Sequence, residues 1–238
     1  MKIIKPWIEV ENFDGTKIMK NLERACRTCY RSEGSITEDS YKRLLTNCIN
    51  RGHESILEHE KITIRMCVDV GVYKDLTRHR IASFSIESTR YCNYNKDKFG
   101  NEIKFIEPVY YDNRNSDECD NEEDIRNALK TKYWTECMEN IEASYMQMNK
   151  VQGTTPDELR MLLPHSTAAE VTMTANIREW KHIFELRANN HTHPAVQQVM
   201  IPLLLLFKQE MPEIFNGISY NENFPKEKYA KITMMKGE

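Results

Sequence analysis

The sequence predicts a single α+β domain in which helices surround a small, mostly antiparallel sheet. Apolar residues recur at helical spacing in several segments, and one segment alternates apolar and polar residues as a strand does. No repeat, low-complexity tract or linker divides the 238 residues. We therefore expect one domain over residues 1–238, with helices dominating around a few strands.

Two elements are predicted at the start of the chain. Ile3–Val10 has the composition of a short extended segment, and apolar residues from Ile18 to Cys29 then recur at helical spacing. Both cysteines of the Cys26-x-x-Cys29 motif lie on this apolar stripe. The pattern favours a buried structural pair over a redox pair, because small apolar thiols are common in cores.

A second helix and a strand follow. Thr37 is a suitable N-cap, the apolar stripe covers Tyr41–Ile49, and Gly52 is a suitable stop. Ile62–Val68 alternates with polar residues and predicts a half-buried strand, after which a short helix runs towards Arg78.

The second half of the chain contains one long helix and several shorter elements. An acidic loop over 116–124 precedes a helix in which apolar residues repeat every fourth position from Ile125 to Tyr145. Thr155-Pro156-Asp157-Glu158 is typical of a helix start, and Pro164 ends that helix early. The remaining predicted elements are strands at Ile103–Tyr110 and Val171–Ile177 and helices at Arg178–Ala188 and Ala195–Glu210.

The composition excludes several function classes. With 33 Lys+Arg and 36 Asp+Glu the formal charge is −3, so there is no bulk reason to expect nucleic acid or an anionic membrane as a partner. The longest apolar run, Val199–Phe207, is too short to span a bilayer. Seven cysteines without framework spacing indicate the reducing cytoplasm. The eight glycines form no G-x-G-x-x-G or Walker loop, so side chains must bind any phosphate.

The densest group of functional side chains lies between Thr77 and Tyr91. Three arginines, a histidine and several hydroxyl residues occur there without hydrophobic periodicity. The segment is either a solvated charged loop or an anion-binding segment, because guanidinium and hydroxyl groups both donate to phosphate oxygens. On a helix, Arg78 and Arg80 would point in different directions, which suggests two ligands or one ligand shared between subunits.

Two further polar groups are less specific. His53 and His59 are six residues apart, whereas histidines that bind zinc from one helix face are four apart, so we expect a polar turn and no metal. Arg178 and His182 share a helix face, which is either a ligand-binding face or the solvated side of an amphipathic helix.

Several motifs together resemble one known family. Arg78-His79-Arg80 followed by Ser88, with Arg90 and Tyr91 beyond it, resembles the signature of the flavin-dependent thymidylate synthases. Other blocks of that family occur in the same order and extend the resemblance over most of the chain. They are Gly52–His59, Arg160–Pro164, Asn176–Arg178, Leu186–Ala188 and Gln197–Gln198.

The resemblance implies a reaction and an assembly. dUMP would be methylated to dTMP, with methylenetetrahydrofolate as the carbon donor and with FAD, reduced by NADPH, as the hydride source. The protein would be a homotetramer with its sites at subunit interfaces, which agrees with different targets for Arg78 and Arg80.

The resemblance also implies roles for individual residues. Arg187 would face the uracil base, where its permanent charge would favour the anionic base and could not act as a general base. The positions implied to contact FAD are Ser55, Arg78, His79, Arg80, Ile86, Asn176, Ile177, Arg178 and His182. Those implied to contact dUMP are Asp75, Leu76, Thr77, Arg78, Ile86, Glu87, Ser88, Thr89, Arg90, Arg160 and Arg187.

Three positions depart from the pattern that the family usually shows. Asp75 stands where glutamine is common, Ile86 where an acidic residue is common, and His182 where some relatives have asparagine. Ser88 is assigned to phosphate binding and not to nucleophilic attack, because no neighbour in the sequence is an obvious activating base.

Other functions predict different behaviour. A cysteine-dependent thymidylate synthase would need a Pro-Cys nucleophile, and no cysteine here follows a proline. A non-catalytic nucleotide- or RNA-binding protein would bind its ligand without retaining flavin. A general flavin reductase would oxidise NADPH without requiring dUMP.

Overall fold

The computed structural model describes residues 1–235, so residues 236–238 of the predicted 1–238 domain lie outside the described residues. The strands are β1 (Lys2–Ile4), β2 (Trp7–Glu11), β3 (Lys61–Asp69), β4 (Ser83–Ile86), β5 (Lys104–Ile106), β6 (Ala168–Asn176) and β7 (Lys231–Met235). The helices are α1 (Gly15–Thr28), α2 (Ser40–Asn50), α3 (Val70–Leu76), α4 (Glu122–Asn149), α5 (Pro156–Leu159), α6 (Ile177–Arg187), α7 (Pro194–Glu210) and α8 (Pro212–Phe215). Short 3₁₀ turns include Glu54–His59 and Arg160–Leu162. Among these elements, no helix combines the length and the apolar character that crossing a membrane requires.

The strands form two sheets. One contains β1 and β5, and the other has the order β4-β6-β3-β2-β7. β1 pairs in parallel with β5, with Lys2 opposite Lys104, and β2 pairs in parallel with β7, with Trp7 opposite Lys231. Mixed helices and strands are as predicted, and mostly antiparallel pairing across the sheets stays a prediction. These two pairs are parallel. Their partners are distant in sequence, so no hairpin signal could reveal them.

The chain divides into two compact units. The first consists of Met1–Pro6, Cys67–Lys74 and Ile86–Val171, and the second of Trp7–Met66, Asp75–Ser85 and the chain from Thr172 onwards. The predicted extended segment Ile3–Val10 is interrupted at Lys5 and Pro6, so that it forms β1 and β2 in different sheets. A single domain over the whole chain stays a prediction.

The first unit has its own apolar core. The predicted strand at Ile103–Tyr110 is shorter than expected, because Pro108 cannot donate to a sheet and its carbonyl instead accepts the amide of Tyr111 in a turn. The buried residues of this core are Tyr94, Ile103, Phe105, Met138, Tyr145 and Leu159.

The long helix α4 is present, but the buried side differs from the one predicted. Leu129, Tyr133 and Cys137 of the four-residue repeat are exposed. A repeat of four drifts by about 40° per step against 3.6 residues per turn, so the apolar positions wind around the helix. The buried residues of α4 are Ala128, Thr131, Met138 and Tyr145.

The second unit is built around helices α6 and α7, whose ends agree with the prediction to within one residue. Trp180, Phe184, Phe207 and Phe215 are fully buried and pack with ring centroids 5.0–5.8 Å apart. The indole Nε1 of Trp180 also donates to the carbonyl of Ile62 at 3.1 Å. These contacts hold α6 in a defined orientation.

The predicted cysteine pair in α1 is wrong in one member. Cys26 is buried, but α1 ends at Thr28 and Cys29 is exposed. The Sγ of Cys26 instead lies 3.5 Å from the Sγ of Cys48 in α2, and burial together with this neighbour raises the pKa of Cys26 to about 12. Helix α2 begins later than predicted, with Asp39 and not Thr37 at the N-cap position.

Candidate functional site

The Arg78-His79-Arg80 motif lies in a turn and not on a helix. α3 ends at Leu76, whose carbonyl accepts the amide of His79 at 3.0 Å. The helical rotation expected between Arg78 and Arg80 therefore does not apply. Both arginines are exposed and form no hydrogen bond or ion pair with residues 1–235.

His79, between the two arginines, is buried with 5% of its surface exposed. Its Nε2 lies 3.1 Å from Nε of Arg187, and its Nδ1 lies 3.2 Å from Oε1 of Glu179. Because the Arg187 Nε always carries hydrogen, His79 Nε2 must be the acceptor. The neutral ring therefore has its proton on Nδ1 and donates it to Glu179.

The protonation state agrees with this geometry. Burial, together with the nearby charges of Arg187 and His182, lowers the pKa of His79 to about 4. Burial raises the pKa of the Glu179 carboxyl. The contact between Glu179 and His79 is therefore a hydrogen bond from a neutral imidazole and not an ion pair.

Arg187, the last residue of α6, is held at two points. Besides its bond to His79, its Nη2 donates to the backbone carbonyl of Asp75 at 2.9 Å. Asp75 thus contributes through its backbone, so the departure from glutamine at this position does not disturb the contact with Arg187. The side chain of Leu76 is fully buried, which leaves only its backbone for a ligand.

A cavity of about 540 Å³ runs beside α6 in the second unit. It brings together three of the predicted flavin residues, Asn176, Arg178 and His182. Asn176 caps α6 by accepting the amide of Glu179 at 2.8 Å. Arg178 is paired with Glu58 at 2.6 Å, and Lys181 is paired with Glu54.

Two predicted flavin residues are placed elsewhere. Ser55 lines a separate cavity of about 330 Å³ together with Cys26, Cys48 and His53. Ile177 is fully buried, and its amide donates to the carbonyl of Glu60 at 3.0 Å. Its side chain therefore belongs to the core.

In the first unit, the segment after β4 is held by Glu87. The amide of Glu87 donates to the carbonyl of Glu170 at 2.9 Å, and its carboxylate accepts the Tyr94 hydroxyl at 3.1 Å and the Glu170 amide at 3.3 Å. Glu87 is thus a structural residue of the strand end. It follows Ile86, the half-buried last residue of β4.

The turn beyond Glu87 presents Ser88, Thr89 and Arg90. The Ser88 carbonyl accepts the amide of Tyr91 at 3.1 Å, and its Oγ accepts the amide of Arg90 at 3.4 Å. Within residues 1–235, no histidine or carboxylate hydrogen-bonds to the Ser88 hydroxyl. This environment suits anion binding better than nucleophilic attack.

Arg90 is held by an acidic partner that the sequence analysis missed. Asp157 of α5 accepts Nε of Arg90 at 2.9 Å and Nη2 at 3.3 Å. The pKa of Asp157 is lowered by the hydrogen bond and charge of Arg90 and by the charge of Arg160. Two predicted phosphate residues are therefore grouped around Asp157, which sequence alone identified only as part of a helix start.

Glu179 is the second residue that the sequence analysis missed. A glutamate three residues after the Asn176 cap is the usual companion of a helix N-terminus, so the local pattern did not mark it as functional. No group of three or more metal-ligating side chains is assembled in the described part of the chain.

Known proteins resemble this chain over most of its length. The family model described as "Thymidylate synthase complementing protein" matches residues 14–213. Flavin-dependent thymidylate synthase from Thermosipho africanus is 28% identical over 196 residues, covering 82% of this chain and 83% of the relative. The enzyme of that name from Pyrococcus abyssi is 30% identical over 172 residues, covering 71% of this chain and 63% of the relative.

A viral relative and a solved structure extend the comparison. A probable flavin-dependent thymidylate synthase of Paramecium bursaria Chlorella virus 1 is 25% identical over 223 residues, covering 92% of this chain and 97% of the relative. The UMP/dUMP methylase PolB from Streptomyces cacaoi, solved with 5-Br UMP, has a TM-score of 0.70 and 19% identity, covering 91% of this chain and 95% of PolB. This similarity supports the fold alone. On the family match, which covers residues 14–213, the chain belongs to the thymidylate synthase complementing proteins, the flavin-dependent thymidylate synthases.

Proposed function

We infer that the protein methylates dUMP to dTMP, with methylenetetrahydrofolate as the carbon donor and NADPH-reduced FAD as the hydride source. The observation that carries this inference is the guanidinium of Arg187, which two hydrogen bonds hold in place within a family-like block. A positioned positive charge is what the attack of an electron-rich uracil carbon requires.

Arg187 acts as a fixed charge in this proposal. Its guanidinium stays protonated at any working pH, so it cannot remove a proton from the base. Nε and Nη2 are used by His79 and Asp75, while Nη1 has no hydrogen bond to residues 1–235. We assign Nη1 to the uracil ring, where it would stabilise negative charge as the ring becomes anionic.

Side chains of the second unit support the assignment of a flavin dinucleotide to it. The cavity beside α6 is also lined by Glu54, Glu58, Glu179 and Glu185, so the pyrophosphate is not assigned there. The cavity beside α6 is of the size that holds a large part of such a ligand, and Arg78 and Arg80 carry positive charge that no described residue neutralises. We assign the FAD pyrophosphate to Arg78 and Arg80, and other polar groups of FAD to Asn176, Arg178 and His182. When bound, FAD supplies the hydride that reduces the transferred carbon.

The proposed phosphate-binding groups belong to the first unit. We assign the phosphate of dUMP to Ser88, Thr89, Arg90 and Arg160, which offer hydroxyl groups, backbone amides and two guanidinium groups. Asp157 pairs with the guanidinium of Arg90, and its single negative charge does not neutralise both Arg90 and Arg160. The remaining predicted contacts, including Ser55, Ile86 and Ile177, stay predictions.

The proposal includes a homotetramer in the cytoplasm, with methylenetetrahydrofolate and NADPH as co-substrates. A shared site between copies would explain why the anion-binding side chains are distributed over separate segments. Sedimentation or light scattering of the purified protein measures the assembly directly.

One assay tests the function. Purified protein is freed of flavin, and dTMP formation from dUMP, methylenetetrahydrofolate and NADPH is measured with FAD omitted and restored. We expect product only with FAD. NADPH oxidation without dTMP would indicate a flavin reductase, and nucleotide binding without flavin retention would indicate a binding protein. Full turnover in flavin-free protein would reject the mechanism.

A further inference from the structure

His79 has both ring nitrogens occupied by side chains of the same unit. Nε2 accepts from Arg187 and Nδ1 donates to Glu179, and only 5% of the residue is exposed. The imidazole therefore has no nitrogen left for a flavin or a nucleotide. Its contribution to the site must pass through the residues that it holds.

The position of Glu179 favours one tautomer of His79. It is 7% exposed and lies in the first turn of α6, where the Asn176 side chain accepts its amide. Its carboxyl oxygen requires a hydrogen on Nδ1. The other tautomer would direct the hydrogen on Nε2 against Nε–H of Arg187, so that two donors would face each other.

The charged groups around His79 agree with this role. Arg187, Glu179 and His182 face it from α6, and the His182 ring centroid lies 5.8 Å from that of His79. Asp75 approaches Arg187 only through its backbone carbonyl. Glu179 is thus the one carboxyl group with a hydrogen bond to the imidazole among the described residues.

We propose that Glu179 and His79 form a positioning relay for Arg187. Glu179 accepts Nδ1–H of His79, which leaves Nε2 as a permanent acceptor for Nε–H of Arg187. The relay and the Asp75 carbonyl together orient the guanidinium. The catalytic meaning of this relay rests on the proposed function, whereas its hydrogen-bond geometry does not.

Four variants test the relay through kinetics: Glu179→Leu, Glu179→Gln, His79→Gln and the double variant Glu179→Leu/His79→Gln. In Glu179→Gln the amide oxygen of the new side chain can still accept Nδ1–H, so we expect this variant to stay near wild type. Glu179→Leu removes the acceptor and should lower kcat/KM for dUMP about tenfold, the usual effect of losing one buried hydrogen bond. Bound FAD per chain should remain unchanged.

The double variant separates a relay from two independent roles. In His79→Gln the side-chain carbonyl can accept from Arg187 without help from Glu179. Adding Glu179→Leu to that variant should therefore change kcat/KM by less than about threefold. If the two residues had independent roles, their separate losses of kcat/KM would multiply. The relay would be overturned if the losses of kcat/KM in the two single variants multiplied in the double variant. Equal losses in Glu179→Gln and Glu179→Leu would overturn it as well, as would wild-type kinetics in Glu179→Leu.

A buried glutamate outside the site controls for destabilisation. Glu23 is 1% exposed and accepts from Arg27 and Ser40. Glu23→Leu should lower the melting temperature without changing kcat/KM per folded enzyme. A similar kinetic loss in this control would assign the Glu179 effect to stability and overturn the relay.

Histidine ¹⁵N NMR of the FAD-loaded wild type reads the tautomer without any turnover, with His79→Gln assigning the signal. We expect hydrogen on Nδ1 at neutral pH, and a shift towards the other tautomer in Glu179→Leu. Hydrogen on Nε2 of His79 in a wild type that forms dTMP would overturn the relay and leave the proposed function standing. An Nδ1–H tautomer in a wild type that forms no dTMP would support the relay and reject the proposed function.

Discussion

Arg90 and Asp157 form a two-point ion pair, with Nε to Oδ1 at 2.9 Å and Nη2 to Oδ2 at 3.3 Å. Both side chains are more than half exposed, at 56% and 51%. Solvent screens an exposed pair of this kind, so it contributes little to the free energy of unfolding. We therefore expect the pair to matter more for the proposed phosphate site than for the stability of the fold.

Replacement of Arg90 by alanine should affect dUMP binding and not folding. We expect Arg90→Ala to raise KM for dUMP at least about tenfold, since a charge-assisted bond to phosphate is lost. Steady-state kinetics and a thermal melt measure the two effects. Arg114→Ala is the matched control, because Arg114 also pairs with acidic residues at an exposed position in the first unit. Equal effects in both variants would remove Arg90 from the phosphate site.

Arg187 should not tolerate substitution by lysine. The guanidinium of Arg187 donates one hydrogen bond to His79 and another to the Asp75 carbonyl. A lysine ammonium is a compact point charge and cannot reproduce both bonds in the same geometry. We expect both Arg187→Ala and Arg187→Lys to fold and to lose at least about a hundredfold in kcat, as removal of a group that stabilises transition-state charge does. Circular dichroism and single-turnover dTMP formation check this. Near-normal turnover in Arg187→Lys would show that charge alone is sufficient.

The low pKa of His79 should make stability depend on pH. The folded pKa is about 4, below the ordinary value of 6.5, so between these values the unfolded chain takes up a proton that the folded chain does not. Lowering the pH therefore favours unfolding. Between pH 7 and pH 5 this group should cost about 2 kcal/mol of unfolding free energy.

Urea unfolding at several pH values measures this dependence. His79→Gln should show a shallower loss of stability as the pH falls, whatever its stability at pH 7. The same slope in both proteins would mean that His79 titrates normally when folded.

The two arginines that flank His79 should govern flavin retention. Arg78→Ala and Arg80→Ala each remove a cation that has no partner among the described residues, so the purified variants should retain less FAD per chain by visible absorbance. Arg43→Ala is the control, because Arg43 is also exposed and without a hydrogen bond or ion pair in residues 1–235. Unchanged FAD content in both site variants would place the pyrophosphate elsewhere.

Local patterns were enough to identify much of the protein. The alternation of Ile62–Val68 marked β3, and the predicted helix at Arg178–Ala188 is α6 to within one residue. The cluster of arginines, hydroxyls and a histidine at Thr77–Tyr91 likewise marked the candidate site. These features depend on neighbours within a few residues, which is the range over which periodicity and capping act.

Long-range contacts decided the rest. His79 finds Glu179 and Arg187 at separations of 100 and 108 residues, and Arg90 finds Asp157 at 67 residues. β2 likewise pairs with β7, which is distant in sequence, and Cys26 is buried against Cys48 of α2 while Cys29, beyond the end of α1, is exposed. A side chain's partner, its burial and hence its proton affinity depend on which segments meet in space, and no local pattern encodes that meeting.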